Sequence, residues 1–194
     1  MHSKVFVFFG RSGCGKGTQA KLLADYLKSK GRSVLYIETG SAFRELMKGE
    51  SLTSKNVQNI LKDGHLIPVF LPIWIWTDFM VKNFTGQEDM ILDGVCRRKD
   101  EAEALDSALD FYGIEKPNII VMNVSKKWSF ERMMARKRAD DTPEKIQNRL
   151  SWYEQDVLPS IEYFKNKSGY SFIEVNGEQS IENVQKDIIK ALGF

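Results

Sequence analysis

Five runs along the chain are apolar at most successive positions: residues 5–9, 33–38, 90–92, 118–124 and 170–175. Unbroken apolar runs, rather than alternating ones, suit parallel strands that are covered on both faces. Segments of helical period lie between and after them, at 16–29, 42–48, 54–62, 69–83, 100–112, 127–137, 144–166 and 181–192. This alternation predicts an α/β fold with a doubly wound, five-stranded parallel sheet. Ligands of such sheets sit at the carboxyl ends of the strands. The most apolar stretch, 67–81, carries two prolines and Asp78 and is too short for a bilayer; it reads as a mostly buried helix. At 194 residues the chain suits one domain, with inserted lobes expected at about 40–84 and within 126–143.

The first strand and helix enclose a denser signal. After the apolar run, Gly10, Gly13 and Gly15 fall within six residues, followed by Lys16, Gly17 and Thr18 at a helix start. Glycines let the backbone curl so that successive N–H groups face one concavity, and the helix start adds unpaired donors and the positive end of its dipole. Lysine supplies a mobile charge for phosphate oxygens. This is the arrangement of a phosphate-binding loop. The usual pattern places Ser or Thr directly after the lysine, whereas here Gly17 stands there and Thr18 follows. The competing reading, a tight turn with a surface lysine, lacks a reason for the strand before and the helix after.

Composition narrows the setting. Hydrophobic content of 42%, charged content of 28% and a net charge of +2 are ordinary for a globular protein and do not argue for nucleic-acid binding. Cys14 and Cys96 have no metal-ligand spacing, and Cys14 lies inside the loop, so a reducing, cytoplasmic setting is expected. The N-terminus has no basic-then-apolar signal pattern, and no membrane association is expected.

Arginines follow the later strands: Arg44 in Thr39-Gly40-Ser41-Ala42-Phe43-Arg44, Arg97 in Asp93-Gly94-Val95-Cys96-Arg97, then Arg132, Arg136, Arg138 and Arg149. Their planar forks suit phosphate oxygens, and phosphoryl transfer is largely positioning and charge neutralisation. The chain holds only His2 and His65, neither placed as a base. A hydroxyl acceptor needs a base, whereas a phosphate acceptor is already deprotonated at neutral pH. Many arginines without a base point to a nucleoside monophosphate as acceptor.

Taken in order, GxxGxGKGTQ, TGxxxR, GxLxP, DGxxR and the final RxDD…R closely resemble the adenylate kinase family of nucleoside monophosphate kinases, over nearly the whole chain. The resemblance implies a single kinase domain of the P-loop NTPase type. It also implies a helical monophosphate-binding lobe at about 40–84 and a short lid at about 132–141. It implies transfer of the γ-phosphoryl of Mg²⁺–ATP, first to AMP, with GMP or a pyrimidine monophosphate as the alternative. A P-loop protein that only binds or hydrolyses ATP is the reading outside that class. By resemblance, Gly10, Gly13, Cys14, Gly15, Lys16, Gly17 and Thr18 bind ATP phosphates, Arg132 stacks on the adenine, and Gly177 and Gln179 lie near that base. Thr39, Gly40, Arg44, Leu66, Ile67, Gly94, Arg97 and Glu101 bind the monophosphate. Lys16, Arg44, Arg97, Arg136, Arg138 and Arg149 neutralise the transferring charge, and Asp93 holds Mg²⁺ through water. No zinc is implied, and the expected state is a monomer.

Several positions depart from the family pattern. Arg11-Ser12 replace Gly-Pro in the loop, Cys96 replaces the proline of DGxPR, and Ser41 replaces the aspartate of TGD, where it is expected to cap the following helix. Glu101 stands where the family has glutamine. A carboxylate only accepts, which suits guanine's two donors better than adenine's edge; equally, Glu101 is one of several acids at a helix start, where the dipole favours them. Asp140 and Asp141 either pair with lid arginines or begin the next helix, as Asp141-Thr142-Pro143-Glu144 has capping-box form. Arg98 and Lys99 read as solvated. With only Lys137 between Arg136 and Arg138, the lid has no room for a β-rich or zinc-binding insert.

Overall fold

The computed structural model describes residues 3–62, 64–136 and 141–194. Five strands form one parallel sheet: β1 (Val5–Gly10), β2 (Val34–Glu38), β3 (Asp89–Asp93), β4 (Asn118–Asn123) and β5 (Ser171–Asn176), in the order β2-β3-β1-β4-β5. All five expected strands are present, and the doubly wound topology is the one the apolar runs predict. β1 is central and buried along its whole length. Val5, Val7 and Phe9 face one layer, and Phe6 and Phe8 face the other.

Helices cover both faces. On the Phe6 side lie α1 (Lys16–Ser29) and the C-terminal α9 (Ile181–Ala191), packed through Leu23, Leu27, Val184 and Ile188. On the Val7 side lie α4 (Phe70–Asn83), α5 (Lys99–Phe111) and α8 (Leu158–Lys165), packed through Trp76, Met80, Leu105, Leu109, Ile161 and Phe164. The loop after β1 therefore leads to one face, and the loop after its neighbour β3 leads to the other. Where two such loops part, a crevice opens at the carboxyl edge of the sheet.

Two smaller clusters lie outside this core. Val57, Ile67 and Leu71 join α2 (Thr39–Leu46), α3 (Leu52–Lys62) and the start of α4. Met133, Ile146 and Leu150 join α6 (Lys126–Ala135) to α7 (Pro143–Trp152). Ser125, Thr142 and Ser180 cap α6, α7 and α9, each accepting a backbone N–H from the first turn.

Four expectations change. First, α2 begins at Thr39, directly on the end of β2, so Ser41 lies inside it and donates to Glu38 O at 2.9 Å instead of capping. Second, the cap of α7 is Thr142, not Asp141; the residue three further on is then Lys145, so no capping box forms. Third, the 144–166 segment is not one continuous α-helix. A π-helical turn, Tyr153–Val157, separates α7 from α8. Pro159 has no N–H and its ring would press on the carbonyl of Gln155; the wider turn, closed by Leu158 N–H to Tyr153 O, accommodates it. Fourth, α4 is not mostly buried. Trp76 and Met80 enter the core and Leu71 the smaller cluster with Val57 and Ile67, while Phe70, Trp74 and Val81 lie on the exposed face.

Candidate functional site

The loop after β1 is built by its own main chain. Gly10, Gly13 and Gly15 all have positive φ. A Cβ at Gly13 would lie 2.8 Å from the carbonyl of Ser129 and from Met133, so α6 backs directly onto the loop. Gly15 is the N-cap residue of α1 at φ 95 and offers no side chain to the first turn, so no side-chain cap blocks an anion there; the Thr18 N–H already donates to Gly15 O at 3.0 Å. The ammonium of Lys16 folds back to donate to Gly10 O at 2.7 Å and Arg11 O at 3.1 Å, and reaches Cys14 Sγ at 3.6 Å. A cation held by loop carbonyls is poised over the concavity it would share with phosphate oxygens.

β3 ends in Asp93, in register with Phe8 of β1 and with Glu38 of β2. Its carboxylate accepts from the Tyr36 hydroxyl at 3.2 Å, and a Cβ on Gly17 would lie 3.0 Å from its Oδ2. Glycine after Lys16 thus keeps the mouth of this carboxylate clear. Burial raises the Asp93 pKa; Lys16 opposes this, Glu38 adds to it, and the Tyr36 hydrogen bond and Arg97 lower it, leaving it net raised. The Tyr36 hydroxyl is held protonated by burial and by Asp93. Asp93 is a hard oxygen donor beside the loop, with a neighbouring cation and an unobstructed approach, so the donor set suits a divalent ion carried on a nucleotide. Among the described residues no cluster of three or more His, Cys, Asp or Glu side chains is arranged to hold a metal.

One cleft brings the two loops together. It is lined by Gly10, Ser12, Lys16, Gly94, Arg97 and Arg149, with Trp152 and Tyr153 as its apolar wall. Burial lowers the Arg97 pKa, while Glu101 and Asp93 raise it. Arg149 enters from α7 and donates to Asp141 at 2.9 Å, and Arg136 at the end of α6 donates to the same carboxylate at 2.6 and 3.1 Å. Burial opposes ionisation of Asp141, but the two arginines outweigh it and hold its pKa below the ordinary value. Asp141 is therefore the shared partner of these two arginines. Arg138 and Asp140 lie outside the described residues.

Other expected residues are placed near the cleft with partners of their own. Arg44 is half exposed on α2 and donates to Glu38 at 2.9 Å. Buried Thr39 donates to Gly94 O at 2.7 Å, and Gly40 follows it on α2. Leu66 precedes buried Ile67, whose carbonyl accepts from Arg98 at 2.6 Å. Glu101 is buried and one of its oxygens accepts the Arg97 N–H at 3.3 Å; burial raises its pKa, Arg97 opposes this, and the net shift is upward. Arg132 lies 4.8 Å above the Trp128 ring on α6. Gly177 donates to Asn123 O at 2.9 Å, beside Cys14, and the Gln179 amide donates to Asn176 O and Asp187. Cys14, at 4% exposure, packs under the loop with its thiol near Gly10. Cys14 and Cys96 are both free.

The sequence reading missed four contributors. Arg98 is not solvated: it joins Ile67 to Asp156 of the π turn. Arg11 stacks 4.1 Å above the Tyr153 ring and pairs with Glu154 at 2.6 Å. Glu38 holds Arg44, and Ser160 of α8 reaches the loop after β3. The departures from the family pattern at Arg11 and Cys96 were the available signal for the π-turn contacts; nothing local marks Ser160.

Fold and cleft together define a P-loop α/β protein whose phosphate loop faces a second, arginine-bearing loop. The adenylate kinase family model matches residues 8–169. An adenylate kinase of Corynebacterium diphtheriae is 32% identical over 191 residues, 96% of this chain and 98% of its own. One from Cyanothece sp. is 32% identical over 178 residues, 90% and 88% of the two chains, and adenylate kinase 1 of Nostoc sp. is 29% identical over 187 residues, 96% and 97%. The chain belongs to the adenylate kinase family.

Proposed function

We infer that the protein is a nucleoside monophosphate kinase that reversibly transfers the γ-phosphoryl of Mg²⁺–ATP to AMP, giving two ADP. The observation that carries this reading is the shared cleft, in which Lys16 of a phosphate loop stands with Arg97 and Arg149. A protein that only bound ATP would need the first of these and not the others. A phosphate acceptor explains the missing base, since the attacking oxygen needs no proton removed.

In this reading the N–H groups of Gly13, Gly15 and Gly17 and the hydroxyl of Thr18, with Gly10 and Cys14 shaping the turn, hold the ATP phosphates, and Lys16 turns from its loop carbonyls to them. Magnesium arrives with the nucleotide, and Asp93 would hold it through water. Arg132, Gly177 and Gln179 flank the ATP base. Arg44 and Arg97 hold the monophosphate, with Thr39, Gly40, Leu66, Ile67 and Gly94 forming its surround; Arg44 exchanges Glu38 for the phosphate. As the acceptor oxygen forms its bond to phosphorus, the bond to the β-bridging oxygen breaks, and Lys16, Arg136, Arg138 and Arg149 neutralise the charge on the moving group. The segment at about 40–84 serves as the monophosphate lobe and that at about 132–141 as a short lid. The protein works as a cytoplasmic monomer, a setting with which two free, buried cysteines agree. No helix among the described residues is long and apolar enough to cross a membrane.

A coupled assay tests the reading: Mg²⁺–ATP is offered with AMP, GMP, CMP, UMP or dTMP, and ADP is measured. AMP should give the highest kcat/KM, and ADP formation unaffected by every monophosphate would sink the proposal. Because the Glu101 carboxylate is turned to the Arg97 backbone, Glu101→Gln should leave the order of AMP and GMP unchanged. A reversal of that order would make Glu101 the base reader.

A further inference from the structure

The loop between β3 and α5 contains Cys96 at φ 62, the non-glycine residue in the left-handed region among the described residues. Such a conformation disfavours a side chain and persists only where the surroundings impose it. Three hydrogen bonds impose it here. Ser160 Oγ donates to Cys96 O at 2.8 Å, the Cys96 thiol donates to Glu101 O at 3.2 Å, and Arg97 N–H donates to Glu101 Oε2 at 3.3 Å. Ser160 and Cys96 are completely buried, so no water replaces these partners. A fourth tie runs from Arg98 to Asp156 at 3.4 Å. Ser160 and Asp156 both belong to the segment where the π turn passes into α8. Without that wider turn the helix would present a different residue to the Cys96 carbonyl.

Ser160 does not line the cleft, whereas Cys96 and Arg97 do. We propose that Ser160 is a positioning residue for the acceptor side of the reaction: by fixing the Cys96 carbonyl it locks the left-handed turn that aims Arg97 at the monophosphate. This rests on the kinase reading above. The family's proline cannot take positive φ, so a backbone of this shape needs an external hold in place of the ring.

The test is Ser160→Ala, with steady-state constants for both substrates and equilibrium binding of AMP, repeated in an Arg97→Ala background. KM and Kd for AMP should rise about three- to tenfold, the range expected for one lost buried hydrogen bond, while KM for ATP stays within about twofold. The effect should vanish when Arg97 is already absent. An equal change for both substrates, or a change that persists without Arg97, would mean that Ser160 serves only packing and would overturn the proposal. If Ser160→Ala folds poorly, Ser160→Cys decides. A thiol fills the same place but is a weak donor to the Cys96 carbonyl, so AMP binding should weaken with the fold kept; unchanged AMP binding overturns the proposal. Wild-type protein with no AMP-dependent ADP formation overturns the kinase reading and this inference with it. An active wild type with unaltered AMP constants in Ser160→Ala overturns the inference alone.

Discussion

The loops after β1 and β3 start from neighbouring strands and end on opposite faces of the sheet, yet they are held in different ways. The backbone of the β1 loop is shaped mainly from within: its left-handed residues are glycines and its lysine bonds its own carbonyls, while α6 backs onto Gly13 and the Arg11 side chain reaches Tyr153 and Glu154. The β3 loop places a cysteine where a glycine would be easier and is held from afar by Thr39, Ser160 and Asp156. The first is a binding surface made of backbone. The second carries a side chain that must be aimed, and aiming requires partners from other elements. In the proposed reaction the donor nucleotide would meet a nearly finished site, and the acceptor one whose geometry depends on distant packing.

Substitutions can separate the two. The largest effect is expected for Lys16→Ala on the donor side: kcat should fall on the order of 10²–10³-fold or more, the scale for removing one stabiliser of transition-state charge, with the thermal midpoint nearly unchanged. On the acceptor side Arg97→Ala should raise KM for AMP about 10–100-fold, as for a lost charged hydrogen bond, and leave KM for ATP almost untouched; equal effects on both substrates would erase the distinction between the loops. Cys96→Pro should destabilise the fold by about 1–3 kcal/mol in urea titration, because the ring fixes φ near −65° against the observed 62°, whereas Cys96→Gly should cost less. Gly17→Ala places a methyl 3.0 Å from Asp93 Oδ2 and should raise the Mg²⁺ concentration for half-maximal rate by about tenfold, near the low end of the cost of overpacking.

The smallest effect concerns Asp141. Its pKa is depressed in the folded protein, so it stabilises the fold above its ordinary pKa, and that contribution is lost as pH falls through the depressed value. Denaturation followed downward from pH 5 should show Asp141→Asn less sensitive to acid than the wild type, and identical slopes would mean that Arg136 and Arg149 do not hold it.

Much of this was legible in the chain. Unbroken apolar runs flanked by helical periods determine a parallel sheet covered on both faces, since a strand buried on both sides cannot alternate. Three glycines and a lysine between such a run and a helix determine the phosphate loop, because its geometry is local: it needs positive φ, open N–H groups and one charge, all within a short stretch. Tertiary structure decided the rest. Arg98 looks like any arginine at a helix start until the fold brings Ile67 and Asp156 to it. Asp141 could cap or pair until α6 and α7 are packed side by side. The π turn follows from Pro159 inside a helical period, but the residue it presents to Cys96, sixty-four positions earlier, depends on how α8 lies on the sheet. Local sequence sets backbone shape wherever neighbouring residues suffice to satisfy it. A strained turn that must aim an arginine draws its hydrogen bonds across the fold, and those partners exist only once the layers have packed.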